Sequence, residues 1–151
     1  MQSQAEHDVV QINSLIAATL DSAEGYYAAA EAAKSSRFTH LFQTRARERR
    51  ALVLTLQAEV LRLGGKPDDA GTVLGAAKRW FVSLKNIMAG SDASIVTEVE
   101  AGEDHVKGVF EAVMQDQRVS EAVRVVVTTA YGAIRADHDQ MLNLKLDQKA
   151  G

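Results

Sequence analysis

The sequence predicts an all-α fold, a bundle of four long helices with one short helix in a crossover connection. Two observations carry this prediction. Pro67 is the only proline among 151 residues, and proline is the residue that helix interiors tolerate least. Apolar residues also recur with a period near 3.6 along almost the whole chain, which is typical of amphipathic helices.

Five helices follow from this periodicity and from its interruptions. Ser36 suits the N-cap of the second helix, and Gly64–Gly65 ends that helix, as glycine commonly does. Ser91 or Asp92 is expected to cap the fourth. The predicted helices cover residues 6–34, 37–63, 70–88, 92–115 and 119–146.

Each long helix carries an apolar stripe that we expect to face a common core. The valine-rich run 123–127 favours a strand by composition, but the helical spacing after it outweighs that preference. The stripes are Ile12, Ile16, Leu20, Tyr27 and Ala30; Phe38, Leu41, Leu52, Leu56 and Leu63; Ile95, Val99, Val106, Phe110 and Val113; and Val123, Val127, Ile134, Met141 and Leu142.

The position of the short helix favours one bundle topology. Long helices of roughly 25 residues would be about 40 Å long, and the short helix at 70–88 lies between long helices two and three. A bundle with one long crossover at that place has the ferritin-like arrangement. The length of the chain predicts a single domain over residues 1–151.

Composition argues against several classes of function. A net charge of −3 and a pI near 5.8 give no support for broad binding to nucleic acid or to anionic membranes. The absence of cysteine excludes disulfides and thiolate metal sites. No apolar run reaches membrane-spanning length, and the first ten residues do not resemble an export signal, so we expect a cytoplasmic protein.

Four ionisable residues, Glu24, Glu48, Glu103 and His138, fall on or beside the apolar stripes of different long helices. Buried charges need a partner or a metal, and carboxylates with imidazoles from four helices hold metal pairs in ferritin-like proteins. Glu24 lies 12 residues before Ser36 and Glu48 lies 12 after it, which sets them level in a hairpin. This set is a candidate site for iron, manganese or zinc.

Glu100 is an alternative to Glu103 in this candidate metal site. If the last turn lies near Arg118, Glu103 is 15 residues before it and His138 is 20 after it. Glu100, 18 residues before the turn, matches that level better but lies nearer the edge of its stripe. The sequence leaves both residues as candidate ligands.

The candidate site is incomplete as a dinuclear centre, which needs two Glu-x-x-His pairs. Ala51 stands three residues after Glu48, and Arg135 stands three before His138, so both pairs are broken. This argues against an oxidase or ferroxidase and makes an enzyme the less favoured interpretation. Three neighbouring aspartates are expected to point away from the centre: Asp104, Asp137 and Asp139.

The alternative to metal is a structural network of buried polar side chains. In this interpretation Arg45 neutralises the three glutamates, and Tyr27, Tyr131 and His138 hydrogen-bond to them. Other basic residues of the run 45–50 are expected to form a solvated surface patch. That patch comprises Arg47, Arg49 and Arg50. The aromatic pair Trp80–Phe81 is expected to pin the short helix to the bundle.

Several short sequence patterns resemble one family across nearly the whole chain. They are Asp21-x-x-x-Gly25-Tyr26 with Ala29-Ala30-Glu31, Arg45-Ala46-x-Glu48-Arg49, Leu63-Gly64-Gly65, Gly71-x-x-x-Gly75 leading into Arg79-Trp80, Glu100-x-Gly102-Glu103-Asp104, and His138-Asp139. The chain resembles an uncharacterised bacterial family of ferritin-like four-helix-bundle proteins, a domain of unknown function. Lys78 departs from the histidine expected there. The resemblance implies a ferritin-like bundle and no established activity.

Two functions are therefore expected from the sequence. The first is a bundle that binds a metal ion through Glu24, Glu48, Glu100 or Glu103, and His138, with a metal-handling or stress role. The second is a metal-free bundle that acts through protein contacts, with a homodimer or an unidentified protein as its partner.

Overall fold

The computed structural model describes residues 2–70 and 91–150 and contains four long α-helices, with no strand in those ranges. Helix α1 spans Gln4–Ala32, α2 Ser36–Arg62, α3 Asp92–Gln115 and α4 Glu121–Ala150. The predicted all-α four-helix bundle is confirmed, and the valine-rich run 123–127 is helical. The predicted short helix over 70–88, which includes Trp80–Phe81, lies outside the described ranges except for its first residue.

The ends of the helices follow their sequence signals closely. The N-cap of α2 is Ser35 and not Ser36, one residue earlier than predicted, because Ser36 already has helical geometry. Gly64 follows the end of α2 with a φ of 81°, a left-handed conformation that glycine adopts without strain. Ser91 caps α3, and its side chain accepts a hydrogen bond from the backbone N–H of Ser94.

Contacts at the two ends of the bundle fix the directions of the helices. At one end, His7 Nε2 of α1 lies 2.7 Å from Asp116 Oδ2, just after α3. At the other end, the Lys34 N–H after α1 donates to Asp92 Oδ1 at the start of α3, at 2.8 Å. Helix α3 therefore runs antiparallel to α1 and parallel to α2. Because α2 ends at the His7 end, where Asn13 Nδ2 donates to the Lys66 carbonyl at 3.0 Å, the end of α2 and the start of α3 lie at opposite ends of the bundle.

The carboxylate of Asp116 gives this end of the bundle a pH dependence. The backbone N–H of Arg118 donates to it at 2.9 Å, and this bond, with the hydrogen bond from His7, holds the pKa of Asp116 below its ordinary value of 3.8. A lowered folded-state pKa contributes stability above pH 3.8 that is lost as the pH falls through the folded pKa.

We expect Asp116→Asn to lower the urea unfolding midpoint at neutral pH, and the difference from the unmodified protein to shrink as the pH falls below 3.8. Asp69→Asn, at an exposed position, is the matched control and should show no such trend. A deficit for Asp116→Asn that stays constant between pH 7 and the acid range would contradict the assignment.

Two apolar clusters fill the bundle, one towards each end. The cluster at the His7 end centres on Phe110, and the other centres on Tyr26 and Phe42, all fully buried. All five predicted residues of the α3 stripe are buried. Tyr26, and not Tyr27, enters the core from α1. None of the described helices has the length and apolar character needed to cross a membrane.

Candidate functional site

A layer of polar and charged side chains lies between the two apolar clusters, halfway along the bundle. All four helices contribute to it. We call it the charged layer, and it consists of Ser22 from α1, Arg45 and Arg49 from α2, Glu103 from α3, and Asp137 and His138 from α4.

Arg49 is the centre of the charged layer. Its guanidinium donates to both carboxylate oxygens of Glu103, at 2.6 Å each, in the bidentate geometry that makes arginine–carboxylate pairs strong. It also donates to Ser22 Oγ at 2.5 Å and to Asp137 Oδ2 at 3.0 Å. The ring of Tyr26 lies 5.5 Å from the guanidinium carbon, within cation–π range. Arg49 is 2% exposed and Glu103 is 0% exposed, so the pair is removed from water.

Arg45, one turn earlier on α2, completes the layer. It donates to Asp137 Oδ1 and to Gln140 Oε1 on α4, and to Glu48 Oε2 at 2.9 Å. Asp137 thus accepts from Arg45 with one oxygen and from Arg49 with the other. The two arginines neutralise the buried Glu103 and the partly buried Asp137, and neutralisation is the condition under which buried charges are tolerated.

Burial and the charge of Glu103 together shift the pKa values of two neighbouring titratable groups, Arg49 and Tyr26. Burial disfavours the charged form of Arg49, but the adjacent Glu103 and Asp137 outweigh it and raise the pKa of the guanidinium above its ordinary value. Burial also raises the pKa of Tyr26 well above its ordinary range, and the charge of Glu103 adds to this effect. These shifts favour the charged form of Arg49 and the neutral form of Tyr26.

His138 lies at the edge of the charged layer, and one of its ring nitrogens makes no hydrogen bond to a described residue. Its Nδ1 lies 3.2 Å from Asp139 Oδ1, whereas its buried Nε2 has no hydrogen-bond partner among the described residues. The nearest carboxylate oxygens to Nε2 are Asp104 Oδ1 at 3.4 Å and Glu100 Oε1 at 3.7 Å. The other oxygen of Glu100 is 3.4 Å from Lys145 Nζ.

The structure separates the five predicted ligands. Glu103 and His138 are buried as predicted, and Glu100 is largely buried beside His138. The predicted burial of Glu24 and Glu48 is wrong, because their side chains are 61% and 55% exposed. In the described parts of the chain, no group of three or more histidine, aspartate or glutamate side chains is placed to hold a metal ion.

Helix geometry explains both exposed glutamates. Glu24 falls between Ser22 and Tyr26, the residues that α1 turns inward, and it pairs on the surface with Arg50 at 2.5 Å. Glu48 flanks the inward face that α2 presents through Arg45 and Arg49. The equal distances of the two glutamates from Ser36 therefore do not bring them together in the core, because both side chains lie on the surface.

The polar network that the sequence offered as the alternative to metal exists with different members. Arg45 is buried and pairs with Glu48 as predicted, but its other carboxylate partner is Asp137 and not Glu24 or Glu103. The predicted hydrogen bonds of the two tyrosines to the core glutamates are not formed. Tyr131 donates to Glu111 at 2.7 Å, and the ring of Tyr27 lies 5.3 Å from the Arg50 guanidinium carbon.

Sequence reasoning missed the two most important members, Arg49 and Asp137. The sequence predicts a surface patch of Arg47, Arg49 and Arg50, but Arg49 is buried and only the other two are exposed. The sequence also predicts that Asp137 points away from the centre of the site, whereas it contacts both Arg45 and Arg49. The signal was present for both. Arg49 is four residues before the buried Val53, and Asp137 is three residues after the buried Ile134, so each continues a buried stripe at helical spacing.

One comparison with known proteins gives a match. The family described as "Domain of unknown function (DUF2383)" matches residues 8–116, which is more than half of the chain. No curated protein and no solved structure matches the chain. The matched range includes the Arg49–Glu103 pair, whereas Asp137 and His138 on α4 follow it.

Proposed function

The chain belongs to the family described as Domain of unknown function (DUF2383), and we propose that it is a metal-independent helical module that acts through protein–protein contacts on its outer helical faces. The observation that supports this proposal is the bidentate Arg49–Glu103 pair at the centre of the bundle. A core whose charges are neutralised by its own side chains does not need a metal ion to be stable.

The topology supports a ferritin-like arrangement for this module. Helices α2 and α3 are parallel, so that the end of α2 and the start of α3 lie at opposite ends of the bundle, as in four-helix bundles with one long crossover. In metal-binding members of that architecture, carboxylates from several helices face one another in the core. Here Arg45 and Arg49 lie against the facing carboxylates of Glu103 and Asp137.

The residues of the charged layer do not fit a metal ion between them. Both oxygens of Glu103 accept hydrogen bonds from Arg49, and both oxygens of Asp137 accept from an arginine. A divalent cation at this place would have to displace two guanidinium groups or lie against their positive charge, and like charges repel strongly in a poorly solvated interior.

A second candidate function, metal handling with a stress role, rests on His138 Nε2, which has no hydrogen-bond partner in the part of the chain that the structure describes. This atom faces Glu100 and Asp104, and one imidazole with two carboxylates suits iron, manganese or zinc. The contact of Lys145 with Glu100 already supplies a cation there. This candidate therefore requires a rearrangement around His138.

Metal analysis of the protein purified without chelator distinguishes the two functions. We expect far less than one metal ion per chain, and an unfolding midpoint that neither EDTA nor added iron, manganese or zinc shifts, because no site stabilises the folded state by binding. Near-stoichiometric metal that is lost in His138→Ala, but retained when the exposed His40 is replaced in His40→Ala, would overturn the proposal in favour of metal handling.

A further inference from the structure

Helix α2 carries a second apolar stripe on the face turned away from the core. We call it the α2 seam, and it consists of Ala51, Leu54, Ala58 and Leu61, all of them exposed. Leu54 and Leu61 are 67% and 64% exposed, among the most exposed large apolar side chains of the described residues. The opposite face of the same turns, with Val53, Leu56 and Val60, is buried.

The spacing of the α2 seam is that of a coiled coil. Its members are separated by three, four and three residues, which gives the mean period of about 3.5 residues that keeps two helices in contact along their length. Scattered apolar residues on a surface need no explanation. A continuous stripe at this period fits another helix.

The order of large and small residues makes the α2 seam complementary to itself in one orientation. If two copies of α2 pair antiparallel with Leu54 of each copy facing Ala58 of the other, Ala51 of each copy faces Leu61 of the other. Every layer then combines one leucine with one alanine, so large side chains fill the space left by small ones. A parallel pairing in register would set leucine on leucine and alanine on alanine.

The charges beside the α2 seam agree with the antiparallel orientation. Glu48 and Arg62 lie on the same flank of the seam, with side chains 55% and 56% exposed. Antiparallel pairing sets Glu48 of each copy beside Arg62 of the other, so that two ion pairs form between the copies. Parallel pairing would set these residues beside Gln43 and Gln57, with no ion pair.

We propose that the α2 seam is the contact between two copies of this chain, which pair antiparallel about a two-fold axis at the level of Leu56. The inference rests on the proposed function, since it names the partner and the helical face through which the module acts. A symmetric dimer is the commonest assembly that a self-complementary surface forms.

Sedimentation equilibrium of the full chain tests the pairing. We expect a dimer, and we expect Leu54→Glu to raise the dissociation constant by about tenfold or more, because it sets a charge against an apolar partner in two layers. Val125→Glu on α4 is the matched control, since Val125 is 65% exposed and lies off the seam, and it should leave the dimer intact. Both variants should keep the helical content of the unmodified protein.

The proposal is overturned if the unmodified protein stays monomeric up to about 1 mM, a concentration at which even weak specific complexes form. It is also overturned if Leu54→Glu dimerises as well as the unmodified protein, or if Val125→Glu disrupts the dimer and Leu54→Glu does not.

Thiol crosslinking tests the orientation, because the chain has no native cysteine. Thr55 lies close to the proposed two-fold axis, so Thr55→Cys should crosslink efficiently to its copy. In the antiparallel pair the two copies of position 48 are about 24 Å apart along the helices. Glu48→Cys alone should therefore fail with a short crosslinker, and Glu48→Cys with Arg62→Cys should succeed. Crosslinking by Glu48→Cys alone would contradict the antiparallel pairing.

Failure of the pairing and failure of the proposed function give different results. A monomer that contains no metal would overturn the α2 contact alone and leave a different protein as the partner. A protein that holds metal through His138 would overturn the proposed function whatever its oligomeric state.

Discussion

Replacing Arg49 by alanine is expected to lower the free energy of unfolding by about 3–5 kcal/mol. The substitution leaves Glu103, which is 0% exposed, with its charge buried and without a partner, and it removes one of the two arginines that Asp137 contacts. Urea unfolding followed by circular dichroism measures the loss.

The neighbouring Arg50 provides the matched control for this prediction. Arg50 pairs with Glu24 on the surface, and both side chains are about half exposed or more, at 48% and 61%. Exposed pairs contribute little, so Arg50→Ala should change the free energy of unfolding by less than about 0.5 kcal/mol. Equal effects of Arg49→Ala and Arg50→Ala would show that the charged layer is not essential to the fold.

Replacing Phe110 by alanine is expected to lower the free energy of unfolding by about 3–5 kcal/mol through an unrelated mechanism. Phe110 is fully buried in the cluster at the His7 end, and its loss combines reduced apolar burial with a cavity that the packed helices fill only in part. Chemical unfolding measures the change, and Val125→Ala, at an exposed position, should be near neutral. A loss below about 1 kcal/mol would mean that the cluster collapses around the smaller side chain.

The helices were predictable because a helix that packs on one side must repeat its apolar residues at the helical period. Helix α3 shows this best, since it buries one narrow stripe and every residue predicted for that stripe is buried. Helix α1 buries 17 of its 29 residues, so its apolar face is too broad to fix an angle from sequence. This is why Tyr26 occupies the core position predicted for Tyr27, and why Glu24 is exposed although the sequence predicts that it is buried.

The charged layer was only partly predictable because its pairs join residues that are distant in the chain. The apolar neighbours of Glu103 at helical spacing correctly indicated burial. Nothing local shows that Arg49, which is 54 positions away, is its partner. The helical spacing of Arg49 from the buried Val53 indicated that Arg49 faces inward, but that spacing carries no information about which carboxylate it pairs with.

The most direct test of a self-neutralised core is a double-mutant cycle on Arg49 and Glu103, measured in EDTA and without it. We expect Arg49→Met and Glu103→Leu each to destabilise strongly, and the double variant to be more stable than either, because replacing a whole buried ion pair by apolar residues is often neutral. The coupling free energy should be the same with and without chelator. Additive single effects, or a coupling that EDTA abolishes, would contradict the account.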